Sequence, residues 1–156
     1  MKKEIPYQRI KRADFTSGML ELEQAARKAA EKAYAPYSNF KVGVAVRLAN
    51  GQIVTGSNQE NAAYPSGICA ERTALFYCGA QYPEVAVEEI LVLAINNKGK
   101  LAASAAPCGA CRQVLLETSD RHQHPFRVIL PGEEEAIVLE DNRDLLPFGF
   151  DASNMQ

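Results

Sequence analysis

The stretch KVGVAVRLANGQIVTG, residues 41–56, decides how the rest of the chain is read. Lys41 to Leu48 and Gln52 to Gly56 are two β-like runs, and Asn50-Gly51 lies between them. Asn-Gly supplies the positive φ angles that a tight turn needs, so the two runs predict a hairpin. Downstream the pattern alternates. Ala70 to Cys78 reads as a helix, Glu89 to Ile95 as a β-branched strand, and Asn96-Asn97-Lys98-Gly99 as the turn after it. Gly109 to Glu117 reads as a second short helix. Phe126 to Leu130 and Ala136 to Leu139 read as strands joined through Pro131-Gly132, with a short helix or turn around Arg143 to Leu146. A hairpin followed by alternating helices and strands implies a mixed sheet with helices on its faces, an α/β fold.

Working back from the hairpin, Leu20, Leu22, Ala25, Ala26, Ala29 and Ala33 recur at roughly helical spacing, with Glu21, Glu23, Arg27 and Lys28 between them. This predicts a helix from Thr16 or Ser17 to about Ala33, whose small apolar face lets a sheet or helix approach closely. Ala35-Pro36-Tyr37-Ser38-Asn39 cannot continue it and reads as a loop.

The chain has 156 residues, 47% hydrophobic and 23% charged, the balance of one ordinary globular domain. A formal net charge of -2 argues against a protein that binds by neutralising phosphates, so no nucleic-acid partner is expected. Lys2, Lys3, Arg9, Lys11 and Arg12 crowd the first dozen residues and read as a solvated, partly mobile terminus. No apolar run reaches the ~20 residues of a membrane span, and none has the form of a signal segment. A cytoplasmic location without a membrane partner is therefore expected. Cysteines stay reduced there, so Cys69, Cys78, Cys108 and Cys111 need a reading other than a disulfide framework.

Two motifs supply one: Cys69-Ala70-Glu71 and Pro107-Cys108-Gly109-Ala110-Cys111. Each lies where a loop enters a predicted helix. The first helical turn carries unpaired N–H groups and partial positive charge, which favour thiolate over thiol. Two such starts side by side would present Cys69, Cys108 and Cys111 to one borderline-soft metal. Three protein ligands with an open fourth position is the pattern of catalytic Zn²⁺. Cys78 points to the opposite face of its helix from Cys69, among Leu75, Phe76 and Tyr77, and reads as a core cysteine. Glu71 then stands close enough to move a proton between water and substrate without being forced onto the metal. Arg72 can offset the negative charge of three thiolates by hydrogen-bonding their sulfurs, with Arg112 the weaker candidate for that task. His122 and His124 precede Pro125 in a polar stretch and read as a solvated loop.

The sequences C-A-E-R-T-A-L-F and P-C-G-A-C-R-Q resemble the small three-cysteine zinc cytidine deaminases. The resemblance extends over Tyr34 to Gly43, over Asn58 to Tyr64, and over Leu145-Leu146-Pro147 and Phe150, colinearly across about residues 20 to 150. It implies a three-layer α/β/α fold around a mixed, mainly five-stranded sheet. It also implies an N-terminal extension over 1–15, a single deaminase domain over 16–150 and a C-terminal tail over 151–156. The implied activity is zinc-dependent hydrolysis of cytidine and deoxycytidine to the uridines and ammonia, a pyrimidine-salvage reaction. Glu71 is then the catalytic proton carrier. Phe40 packs on the pyrimidine, Asn58 and Glu60 hold the ribose hydroxyl, and Ala70, Tyr64 and Phe150 complete the substrate site. Tyr64 and Phe150 match positions that reach a neighbouring subunit's pocket, which implies a homotetramer with shared active sites. On the residues alone, Phe40 fits a core aromatic equally well, and Asn58 and Glu60 fit an exposed loop. A closed structural zinc module, a deaminase of another aminated base such as blasticidin S, and a nucleic-acid-editing deaminase are the rival readings.

Overall fold

The computed structural model describes all residues from Met1 to Gln156. Six strands and three α-helices follow one another as β1 (Gln8–Lys11), α1 (Ser17–Glu31), β2 (Lys41–Leu48), β3 (Ile53–Ser57), α2 (Ala70–Gln81), β4 (Val87–Ile95), α3 (Gly109–His122), β5 (Arg127–Pro131) and β6 (Glu135–Leu139). The sheet order is β1-β6-β5-β4-β2-β3. Only β4 and β5 run parallel, since α3 forms the crossover between them; every other pair is antiparallel. No helix is long and apolar enough to cross a membrane.

The alternation of strand side chains builds two cores. Val44 and Val46 of β2, Ile90 and Val92 of β4, and Val128 and Leu130 of β5 point to one face, where they pack with Ala70, Ala74 and Leu75 of α2 and Leu115 of α3. The intervening Ala45, Leu91, Leu93 and Ile129 point to the other, against Met19, Leu22, Ala26 and Ala30 of α1. A period of two along each strand thus covers both faces and gives the three-layer α/β/α arrangement.

The helices lie very close to the sheet at two glycines. A Cβ on Gly43 would stand 1.9 Å from the Ala26 carbonyl oxygen of α1, and one on Gly56 would stand 2.7 Å from the Ala70 carbonyl oxygen of α2. The second contact seats the first turn of α2, which carries Glu71, directly on β3.

The predicted elements appear close to their expected limits, with instructive differences. Thr16 caps α1 by accepting a hydrogen bond from the Met19 N–H, and Lys32 follows the last helical residue. Within α1 the buried face is shifted: Leu20 is 49% exposed, while Met19 and Glu23 are buried. In the hairpin turn only Gly51 takes a positive φ, because the Asn50 side chain instead accepts the Gln52 N–H at 3.0 Å. His122 belongs to the last turn of α3, and His124 is half-buried, with its Nε2 3.3 Å from a Glu88 carboxylate oxygen.

The sheet has six strands rather than the expected five, because part of the N-terminus is ordered structure and not a mobile, solvated end. Gln8–Lys11 pairs with β6 from Gln8↔Val138 to Lys11↔Glu135. Phe15 then drops into the core of the α1 face. Arg12 holds the joint: its guanidinium donates to the carbonyls of Glu133 (2.9 Å) and Gly132 (2.8 Å), and to the buried carboxylate of Glu23 (3.0 Å). Arg27 donates to the same carboxylate at 2.7 Å, so Glu23 is buried between two guanidinium groups. The basic residues near the terminus that read as solvated charge thus include one that anchors the edge strand.

Candidate active site and metal centre

Cys69 and Cys108 are the residues immediately before α2 and α3, in extended conformation and with no side-chain capping bond of their own. Cys111 follows in the first turn of α3. These two helices pack on the same face of the sheet, so their N-termini converge. The Sγ atoms of Cys69, Cys108 and Cys111 all lie within 4.8 Å of one another, and Cys69 and Cys108 are 3.8 Å apart. Tetrahedral zinc with Zn–S bonds of about 2.3 Å spaces its sulfurs by roughly 3.8 Å. The cluster therefore fits Zn²⁺ in both donor chemistry and spacing. Cys78 is absent from it and lies in the core, where burial pushes its thiol up to about 11.

Charge in the cluster is distributed by burial and by helix geometry. Burial pushes the Cys111 thiol well above its ordinary value, reinforced by the negative charge of Glu71 and opposed by Arg72. Cys108 feels burial too, but the Cys111 backbone N–H and the neighbouring thiols outweigh it and hold Cys108 below the ordinary thiol range. Arg72 donates from Nη2 to Cys69 Sγ at 3.5 Å, so the residue after Glu71 faces the sulfurs and not solvent. Its Nε is buried with no partner of its own. The Cys69 sulfur is the principal cause that holds the Arg72 guanidinium above its usual range, against burial.

Glu71 is only 5% exposed. Burial raises its carboxyl above the usual carboxylate range, and its own backbone N–H, Cys111 and Arg72 oppose that rise without cancelling it. It lines a cavity of about 580 Å³ together with Phe40, Val42, Asn58, Glu60, Tyr64, Cys69, Arg72 and Cys108. That volume lies in the range of small-molecule sites.

The far wall is built by the loop before β2 and the segment after β3. Asn58 accepts the Val42 N–H at 2.8 Å and donates to the Phe40 carbonyl at 2.9 Å. One amide thereby clamps the backbone on both sides of Lys41 and fixes where the Phe40 ring projects. It retains one N–H and one lone pair for a ligand. Glu60 accepts the N–H groups of Tyr37 (3.0 Å) and Ser38 (3.2 Å) through a single oxygen. Partial desolvation acts upward on this carboxyl, but the hydrogen bonds from Ser38 and Tyr37 prevail and hold it below the usual range. At the mouth, the rings of Tyr37 and Tyr64 meet edge to face with centroids 6.0 Å apart.

Ala70 and Phe150 do not line this cavity. Ala70 is the first residue of α2 and is fully buried, between Cys69 and Glu71. Phe150 is exposed, its carbonyl accepting from Gln113 Nε2 at 2.8 Å. The sequence points to no role for Tyr37 or Ser38, although both lie within Tyr34 to Gly43. Their contribution is through backbone N–H groups, which side-chain chemistry does not advertise.

Residues 19–123 match the family model described as the cytidine and deoxycytidylate deaminase zinc-binding region. The chain belongs to this deaminase family. A cytidine deaminase of Halalkalibacterium halodurans is 36% identical over 134 residues, covering 86% of this chain and 95% of that one. A crystal structure of cytidine deaminase from Burkholderia pseudomallei matches with a TM-score of 0.73 and 40% identity, over 87% of this chain and 100% of the other. The cytidine deaminase structure from Mycobacterium tuberculosis matches with a TM-score of 0.66 and 31% identity, over 85% and 96%. Zinc is the metal of the family's matched region, and the three-cysteine cluster of this deaminase-family chain lies within that region.

Proposed function

We propose that this protein is a zinc-dependent cytidine deaminase that hydrolyses cytidine and deoxycytidine to uridine and deoxyuridine with release of ammonia, a step of pyrimidine salvage. The observation that carries this reading is the position of Glu71, buried beside the three-sulfur cluster and opening onto the cavity that Phe40, Asn58 and Glu60 also line. Cys69, Cys108 and Cys111 are the proposed zinc ligands. Zinc held there would supply Lewis-acid activation of the attacking water.

Glu71 carries the protons. As an ionised carboxylate it takes a proton from water as the oxygen bonds to C4 of the cytosine ring, and it delivers that proton to N3. The remaining hydroxyl proton then leaves with the exocyclic amine, C4–N breaks, and ammonia departs. Phe40 packs on the pyrimidine face, held in place by the Asn58 clamp. The remaining N–H of Asn58 and the second oxygen of Glu60 bind the sugar hydroxyl as donor and acceptor. The Ala70 N–H, in the first turn of α2, has no acceptor within its own helix and would be the backbone donor offered to the base. Arg72 offsets the thiolate charge through Cys69. A site that satisfies its buried polar groups through a sugar hydroxyl rejects free cytosine, which leaves them unpaired.

Residues 16–150 form the catalytic domain in this reading, with 1–15 an N-terminal extension and 151–156 a tail. Tyr64 and Phe150 support assembly into a homotetramer with shared sites, since both present exposed rings outside the core. Such an enzyme acts on a free nucleoside in the cytoplasm, with neither nucleic acid nor membrane as partner. Purified protein of known zinc content tests the reading against cytidine, deoxycytidine, blasticidin S and cytosine, followed by absorbance and ammonia release. Turnover of both nucleosides at about one zinc per chain, abolished by a chelator, is the expected result. Bound zinc without nucleoside turnover would overturn it.

A further inference from the structure

Cys108 is the most exposed of the three clustered cysteines, and its supporting loop is thinly held. The segment from Ala103 to Pro107 makes no backbone–backbone hydrogen bond at all. Ser104 within it takes a positive φ of 42°, which an L side chain adopts at a cost. One hydrogen bond reaches this segment: Arg112 Nε donates to the Pro107 carbonyl at 2.9 Å.

Arg112 also holds the next peptide. Its backbone N–H donates to the Cys108 carbonyl at 2.9 Å, the first bond of α3. The carbonyls on both sides of Cys108 are therefore bound by one residue. Together they define the direction in which the Cys108 side chain leaves the backbone. The other arm of the guanidinium reaches outward, Nη1 donating to the Leu145 carbonyl at 3.0 Å.

Leu145 is a rigid anchor. It ends the 3-10 turn Asn142–Leu145, whose first residue is almost fully buried. Asn142 donates to the Leu115 carbonyl (2.9 Å) and to Ser119 Oγ (3.0 Å) of α3, and accepts the Phe126 N–H (3.1 Å). A planar guanidinium bridging this anchor to Pro107 transmits the order of the core to the loop. A flexible ammonium would satisfy one carbonyl at a time.

We propose that Arg112 is the positioning residue that holds Cys108 in its metal-binding geometry, and so sets how long the protein retains zinc. The proposal rests on the reading of Cys108 as a zinc ligand. It gives Arg112 a role separate from that of Arg72: Arg112 touches no sulfur, and acts through the two peptides that flank one.

The test uses the full-length, zinc-loaded protein and the variants Arg112→Gln and Arg112→Lys. Zinc release into an excess of chromophoric chelator should be faster in Arg112→Gln by roughly ten- to a hundred-fold, the usual effect of losing a group that orients a metal ligand. Arg112→Lys should fall between that variant and the parent. The melting-temperature gap between zinc-loaded and metal-stripped protein should narrow in step, and the thiolate-to-metal absorption of the cobalt-substituted protein should weaken. A residue that merely staples the fold would lower both melting temperatures equally and leave zinc release at the parental rate. That outcome overturns the proposal, and a parental release rate in Arg112→Lys does so even if Arg112→Gln fails to fold. Cys108→Ser separates the underlying reading. If it retains one zinc per chain at the parental release rate, Cys108 is not a ligand; if it loses zinc while the Arg112 variants do not, only the role of Arg112 falls.

Discussion

Alanine at position 56 should damage the active site from beneath, without touching any residue that lines it. The new Cβ would stand 2.7 Å from both the Ala70 carbonyl oxygen and the Ala74 N, and 3.0 Å from the Ala74 Cβ. Two of these neighbours are helix backbone, so no side chain can swing aside. The first turn of α2 must retreat by roughly 0.7 Å to restore ordinary contact near 3.4 Å. Overpacking of this kind costs about 1–3 kcal/mol. For a chain of this size that lowers Tm by about 3–10 °C. The functional loss should be larger. Ala70 lies between Cys69 and Glu71, so the same retreat carries a proposed metal ligand and the proposed proton carrier together. Displacements approaching 1 Å cost on the order of 100-fold in rate. Gly18→Ala, near the start of α1, is the control, since its Cβ meets nothing nearer than 3.8 Å and a helical alanine gains up to about 1 kcal/mol over glycine. Thermal melts and kcat/KM at measured zinc content check both variants. Parental Tm and turnover in Gly56→Ala would show that β3 does not set the position of α2.

Glu71→Gln should keep about one zinc per chain and lose roughly 100- to 10,000-fold in kcat, because the amide accepts no proton; near-parental turnover would remove Glu71 from the mechanism. Arg12→Ala should destabilise the protein by about 1–3 kcal/mol and loosen β1, since it leaves buried Glu23 to Arg27 alone and frees two carbonyls. Urea unfolding with amide exchange over residues 8–11 measures both effects. Asp141 is held below the ordinary aspartate range by the Arg143 side chain, against partial burial, with help from the Arg143 N–H. Its contribution is complete above the unfolded-state pKa of about 3.9 and is lost as pH falls through the lower folded value. Asp141→Asn should accordingly be less stable than the parent at neutral pH and equal to it in strong acid, which Tm against pH will show.

Local chemistry was legible in the chain before any contact was known. Thr16 opens α1, Asn50-Gly51 turns the hairpin, and Cys69 and Cys108 stand at helix starts; each follows from a preference within a few residues. The hairpin followed by alternating helices and strands marked a mixed sheet with helices on its faces, and Cys69-Ala70-Glu71 with Pro107-Cys108-Gly109-Ala110-Cys111 marked the sulfur cluster. Other features were decided only by the tertiary structure. Gln8–Lys11 became a strand because β6, more than a hundred residues later, offers it an edge, and Glu23 became buried because Arg12 and Arg27 meet there. Asn58 turned out to brace Phe40, Glu60 to gather the Tyr37 and Ser38 N–H groups, and Arg112 to join Pro107 to Leu145. The partners in these bonds are mostly backbone N–H and carbonyl groups, which every residue carries alike. Side-chain type marks which groups can donate, accept or bind metal, whereas only the folded path determines which backbone groups they meet.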